Sequence, residues 1–191
     1  INFEIKKYSI TSILGPSGSG KSTLLDIICG FSMKNDGNYE IDDNKIFESH
    51  QIDFSKISYS NQDQIIFAGS IEENITFFEK KEDINIKKLN QVVDICEVRE
   101  ILDRNKVSLD HRLNEKGLEL SGGEKQRINL ARAIYLSDGF LVLDEPLTNV
   151  QRTLEEQIMS RIIDYTKMNK TTLLIVSHSI KSLSSADQII I

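Results

Sequence analysis

Gly15-Pro16-Ser17-Gly18-Ser19-Gly20-Lys21-Ser22 fits the pattern G-x-x-x-x-G-K-[ST] at every fixed position. Such a loop turns tightly and brings its backbone N–H groups around phosphate oxygens, where side chains would be in the way. Lys21 supplies a mobile cation for β- and γ-phosphates, and Ser22 places a hydroxyl where a magnesium ion would sit. A helix starting near Lys21 would aim its positive dipole end at the same charge. The stretch therefore reads as a nucleoside triphosphate site.

Its flanks agree. Ile10-Thr11-Ser12-Ile13-Leu14 is β-branched and apolar, as a short buried strand requires, and Thr23 to Cys29 followed by Gly30 reads as an apolar helix with a glycine stop. The order strand, loop, helix is the one a phosphate loop needs.

The chain has 191 residues, enough for one α/β domain with its own core. Hydrophobic residues make up 39% and charged residues 27%, the balance of a globular protein, and no apolar run approaches the roughly 18 residues of a membrane span. A net charge of −6 argues against sequence-independent nucleic-acid binding, which needs a basic surface. Cys29 and Cys96 sit in apolar helical patterns without metal-ligand spacing, so they read as small buried hydrophobes in a reducing compartment. No signal-peptide pattern is seen. Asn2 to Ile5 alternates as a strand and Gln188 to Ile191 reads as another, so an excised piece of a longer polypeptide is expected.

Further along, Tyr39-Glu40-Ile41-Asp42 and Lys45-Ile46-Phe47, with a turn at Asp43-Asn44, predict an antiparallel hairpin. Ile57 to Ser60 is a short strand running into the polar stretch Asn61-Gln62-Asp63-Gln64, where strand ends open onto a ligand crevice. At Ser70 the hydrophobic period changes. Ser70 and Glu73 form a capping box, and Ile86, Leu89, Val93 and Cys96 mark a helical face, so residues 70–112 are expected as an inserted helical subdomain within a single domain spanning 1–191. The mixed charges at Glu79-Lys80-Lys81-Glu82-Asp83 read as a solvated face, and His50 and His111 carry no partner pattern.

In the second half, Leu120-Ser121-Gly122-Gly123-Glu124 leads into a helix from Lys125 to Leu136, with Ile128, Ala131 and Ile134 or Tyr135 on one side. Gly139 to Leu143 is a buried strand that ends in Asp144-Glu145-Pro146. Leu154, Ile158, Ile162 and Tyr165 predict a helix, and Thr171 to Val176 a buried strand ending at Ser177-His178. The fold class is α/β with a mostly parallel sheet, helices on both faces and a small antiparallel β part. Six of the ten glycines cluster in or beside two loops, which predicts two backbone surfaces built for close approach to a ligand.

Taken together, Gly15 to Ser22, Gln62, Leu120 to Arg127, Phe140 to Pro146 and His178 resemble the ordered motifs of an ABC transporter ATP-binding domain, a P-loop NTPase. The resemblance covers nearly the whole chain, and the LSGGE element in this order is its specific part. Ile65 to Ile75 and Glu115-Lys116-Gly117 are similar to exporter-type members.

The resemblance implies ATP and Mg²⁺ as ligands. The backbone from Gly15 through Pro16, Ser17, Gly18, Ser19 and Gly20, with Lys21, would hold the β- and γ-phosphates, while Ser22 and Thr23 would lie near Mg²⁺ and the α-phosphate. Asp144 would be an anionic Mg²⁺ partner, Glu145 the general base, Gln62 a ligand of Mg²⁺ or of the attacking water, and His178 a γ-phosphate partner. Ser121, Gly122, Gly123 and Glu124 would face the ATP of a second such domain, head to tail, in a homodimer or heterodimer. A transmembrane partner in the same full-length chain, a place on the cytoplasmic face of the cell membrane, and export or flipping of a substrate follow from the same resemblance. Two alternatives belong to it: a soluble ABC-type ATPase of DNA repair or chromosome structure, and a regulatory subunit weak in hydrolysis.

The departures are specific. Gln151 stands where the family has aspartate, Asn61 and Gln64 stand where prolines are frequent, and His111-Arg112-Leu113-Asn114 alters the exporter pattern. The aromatic residue that would stack on adenine would lie upstream of Ile1.

Overall fold

The computed structural model describes residues 2–32, 37–48, 51–114, 117, 119–177 and 183–191. In chain order, β1 (Ile10–Ile13) is followed by α1 (Lys21–Ile28), the short β2 (Glu40–Ile41) and β3 (Asn44–Lys45), and then β4 (Ile57–Ser60). Next come β5 (Gly69–Ser70), α2 (Ile71–Thr76), α3 (Ile86–Ile95), α4 (Val98–Asn105) and β6 (Arg112–Leu113). The chain closes with α5 (Gly122–Leu136), β7 (Phe140–Asp144), α6 (Arg152–Met168), β8 (Thr172–Val176) and β9 (Gln188–Ile190).

The five longer-range strands pair in parallel in the order β4-β7-β8-β1-β9. Because β7 and β8 are apolar at successive positions, both sheet faces must be covered, and they are. Leu141, Leu143, Leu173 and Ile175 pack in the large core shared with α2 to α6, whereas Val142, Leu174 and Val176 point to the opposite face, where Leu25 and Ile28 of α1 cover them. This is the two-faced α/β sheet that alternation of strands and helices predicts.

Two small antiparallel pairs complete the strands. In β2-β3 the turn is at Asp42-Asp43, both with positive φ, rather than at Asp43-Asn44, because the register pairs Ile41 with Asn44. Gly69 and Ser70 of β5 pair with Leu113 and Arg112 of β6, joining the two ends of the stretch that carries α2, α3 and α4.

Three further sequence expectations are corrected. Asn2 to Ile5 forms no strand: Phe3 and Ile5 do pack against the α1-side core, so the alternation is real, but the segment has no strand pairing. Ile86 is 56% exposed at the first position of α3, and the buried face is Leu89, Val92, Val93 and Cys96. The helix expected from Lys125 begins at Gly122, because the Ser121–Glu124 capping box closes its first turn.

Candidate nucleotide site

All five sheet strands run parallel, so the segments after β1, β4, β7 and β8 leave at one edge. The phosphate loop follows β1, Gln62 lies just past β4, and Asp144-Glu145 lies at the end of β7. His178, past β8, lies outside the described residues.

Within the phosphate loop, Gly20 is the N-cap of α1 in the left-handed region (φ 90°, ψ 15°), and no side chain caps this helix, which leaves its N-terminal turn open to an anion. Pro16, Ser17, Gly18 and Ser19 are exposed, and Lys21 donates to the carbonyls of Gly15 (2.9 Å) and Pro16 (3.0 Å), so the cation arches over the loop. Ser22 and Thr23 sit exposed on the first turn of α1.

Ser22 and Asp144, although β8 stands between their strands, are joined: Ser22 Oγ donates to Asp144 Oδ2 at 2.8 Å. Asp144 is buried, and among the described residues its other oxygen, Oδ1, has no hydrogen-bond partner. A buried carboxylate oxygen without a partner is costly, and beside a serine hydroxyl this donor set suits a hard cation that keeps part of its water shell. The residues present therefore fit Mg²⁺, which Ser22 and Asp144 would hold.

Tyr59 of β4 is a neighbour that sequence reasoning missed. Burial, and then the charges of Asp144 and Asp26, push its phenol up. Glu145 has positive φ (46°), and its N–H is fixed on Val176 O at 2.9 Å, so β8 sets the backbone of the residue after Asp144. Gln62 is exposed beyond β4. The backbone after it is anchored by α5: Asn129 donates to Asp63 O (3.1 Å) and Arg132 to Ile65 O (3.0 Å). Arg132 also bonds Asn74 O and Oδ1 and lies over the Phe67 ring at 4.9 Å; burial pulls its guanidinium down to about 10.

The second glycine loop has a different internal logic. Ser121 donates its N–H (2.8 Å) and its hydroxyl (2.7 Å) to Glu124 Oε2, and Glu124 Oε1 accepts from Arg104 of α4. Gly122 and Gly123 were expected to make room for a ligand. Gly123 also makes room for the segment after Glu145, since a Cβ there would lie 2.8 Å from the Asn149 carbonyl oxygen. Gln126 closes the same contact, donating to Thr148 Oγ1 (2.9 Å) and accepting from Asn149 N (2.8 Å). Thus one chain ties its LSGGE helix to the loop that carries Glu145. Gln151, the departure from aspartate, is the N-cap of α6 and makes no capping bond, where an aspartate side chain is favoured.

Gly123→Ala is expected to cost about 1–3 kcal/mol of stability, as overpacking against fixed backbone does. Denaturant unfolding of the domain checks it: an unshifted midpoint would mean that the Asn149 loop yields freely.

Comparison with known proteins gives the same answer from another direction. A family model described as ABC transporter matches residues 1–148. The chain is 31% identical over its whole length to an ATP-dependent permease of Candida albicans, covering 28% of that protein. It is 32% identical to a putative export ATP-binding/permease protein of Rickettsia bellii (100% of this chain, 32% of that one). A multidrug resistance ABC transporter ATP-binding and permease protein of Lactococcus lactis is also 32% identical (99% and 32%). A bacterial Atm1-family ABC exporter solved with ATP bound superposes with a TM-score of 0.83 at 25% identity, over 98% of this chain and 32% of that chain. The chain thus spans about a third of the length of these relatives. With phosphate loop, acidic strand end and LSGGE helix placed as described, the chain belongs to the ABC transporter family, as an ATP-binding domain.

Proposed function

We propose that this domain binds MgATP between its phosphate loop and the LSGGE helix of a second ABC ATPase domain, hydrolyses it, and so powers export or flipping of a substrate by a membrane-embedded partner. The observation that carries the reading is the Ser22–Asp144 hydrogen bond, with a buried, unpartnered Asp144 oxygen beside it. In this reading the backbone of residues 15–21 and Lys21 hold the β- and γ-phosphates, Thr23 lies near the α-phosphate, and Ser22, Asp144 and Gln62 serve the metal. Bound there, Mg²⁺ would neutralise phosphate charge as the terminal phosphoryl group leaves. Glu145 accepts the proton of the attacking water, and Gln62 and His178 orient that water.

Residues 70–112 act as a subdomain inserted in the single ATPase domain. Next to the anchored segment after Gln62, Phe77 (55% exposed) and Phe78 (48%) each meet the Phe67 ring edge-on. This aromatic surface supports docking of the transmembrane part, which we place in the same full-length chain, with the domain on the cytoplasmic face of the membrane. No helix among the described residues is long and apolar enough to cross a membrane itself. The DNA-repair alternative finds no support among relatives named as exporters and permeases.

Co-expression tests the shared site. Full-length chains carrying Lys21→Ala lose one half of it and chains carrying Ser121→Glu the other. A mixed dimer holds one intact composite site, so ATPase activity should return only when the two are expressed together. No recovery from two folded chains would refute sharing.

A further inference from the structure

We infer that Arg104, on α4, is a positioning residue for the LSGGE serine: its ion pair with Glu124 cancels a carboxylate charge at the phosphate-facing end of α5 and frees the Ser121 hydroxyl to serve an incoming ATP. The inference rests on the shared-site reading above.

The geometry carries it. Glu124 is buried, with 5% of its surface exposed, yet its carboxyl is held below the ordinary range. Burial by itself would push it up; the Ser121 hydroxyl and N–H and the Arg104 guanidinium outweigh that effect. The two carboxylate oxygens are divided between partners. Oε2 takes both donors of Ser121, and Oε1 takes Arg104. Ser121 is the N-cap of a 15-residue helix, where the open N–H groups and the dipole favour an approaching anion. A full negative charge three residues away opposes that anion and also holds the serine proton.

Arg104 is the cation that answers both problems. It comes from α4, 20 residues earlier in the chain, and its side chain stays 57% exposed while that of Glu124 is 6% exposed. An exposed cation paired to a buried acid loses little of its own hydration and removes most of the acid's outward field. With Arg104 in place, Ser121 can exchange Glu124 for phosphate oxygen without stranding a charge. Without it, Ser121 is left as the main compensation of Glu124 and is held inward. The other arginine pairs here act elsewhere: Arg127 bonds Glu100 and Glu97 O, and Arg161 bonds Glu97.

The test is a double-mutant cycle on the ATPase activity of the full-length protein. Arg104→Ala is expected to lower kcat/KM by about tenfold, within the range coupled neighbours show, chiefly through KM for MgATP. In the Glu124→Gln background, where there is no carboxylate charge to cancel, the same replacement should cost less than about twofold. Arg104→Lys should restore much of the loss, since it keeps the charge. Equal losses in both backgrounds, or no loss at all, would overturn the inference, the first by showing that Arg104 only packs α4 on α5. Ser121→Glu separates the two claims. Unaltered turnover there refutes the shared nucleotide site itself, whereas a loss there, together with equal Arg104→Ala losses, refutes only the role of Arg104.

Discussion

Replacing Glu145 by glutamine is expected to leave ATP binding in place while turnover falls by roughly 10²- to 10⁴-fold, the usual weight of a positioned general base. Two roles for the second acid of the Asp144-Glu145 pair part company on this point. A second magnesium ligand would lose metal and nucleotide affinity together, since a neutral amide is the poorer partner for a hard cation. The geometry favours the base. Asp144 already offers the buried oxygen beside Ser22, whereas Glu145 follows it on a backbone turned to positive φ and pinned to Val176 O. An amide keeps the shape and hydrogen bonding of the side chain but cannot take a proton. A domain that binds without hydrolysing should accumulate as its ATP-bound pair, because ligand shared by two chains stabilises their association. ATPase rate and nucleotide affinity, measured on the same protein, decide the matter. Normal turnover removes Glu145 from the base role, and lost affinity makes it a ligand.

What could be read from the sequence is what local chemistry dictates. The strand-loop-helix around Lys21 follows from a β-branched run, three glycines and an apolar helix, each a short-range signal. Both capping boxes, Ser70–Glu73 and Ser121–Glu124, are where their three-residue spacing put them. The buried strand ending in Asp144 followed from its unbroken apolar run, and its burial on both faces from the order of elements.

Tertiary contacts were not legible in the same way. Nothing in the spacing of Gln126, Thr148 and Asn149 says that they meet, because that contact depends on how α5 lies against the segment after β7. Arg104 and Arg132 look like ordinary solvated helix charges until packing brings one to Glu124 and the other to Asn74 and the Phe67 ring. The LSGGE glycines show how a correct motif can carry an incomplete reason. Their cluster predicted close approach, and close approach is found at Gly123, but to the Asn149 backbone of the same chain. This joins the LSGGE helix to the loop that carries Glu145. Asn2 to Ile5 shows the reverse error: alternation predicts a buried face, and strand pairing needs a neighbour as well.

Lys21→Ala is expected to abolish ATP binding with little effect on the fold. Lys21 is half-buried on the loop, and among the described residues its ammonium bonds only the carbonyls of Gly15 and Pro16. Neither contact belongs to the core, whose buried members on this face are Ile13 of β1, Leu25, Ile28 and Cys29 of α1 and its flank, and Val142, Leu174 and Val176. Removing the side chain deletes the one full positive charge in residues 15–22, and charge-assisted hydrogen bonds are about twice as strong as neutral ones. The backbone N–H groups and the helix end remain, but they carry partial charges only. Stability should stay within about 0.5 kcal/mol, as for surface changes away from packing or caps. Nucleotide titration and thermal unfolding of the same protein check both halves. Unchanged ATP affinity refutes the assignment of residues 15–22 to phosphate. A large loss of stability would instead mean that the lysine's bonds to Gly15 and Pro16 hold the loop, and that lost binding reflects a collapsed loop.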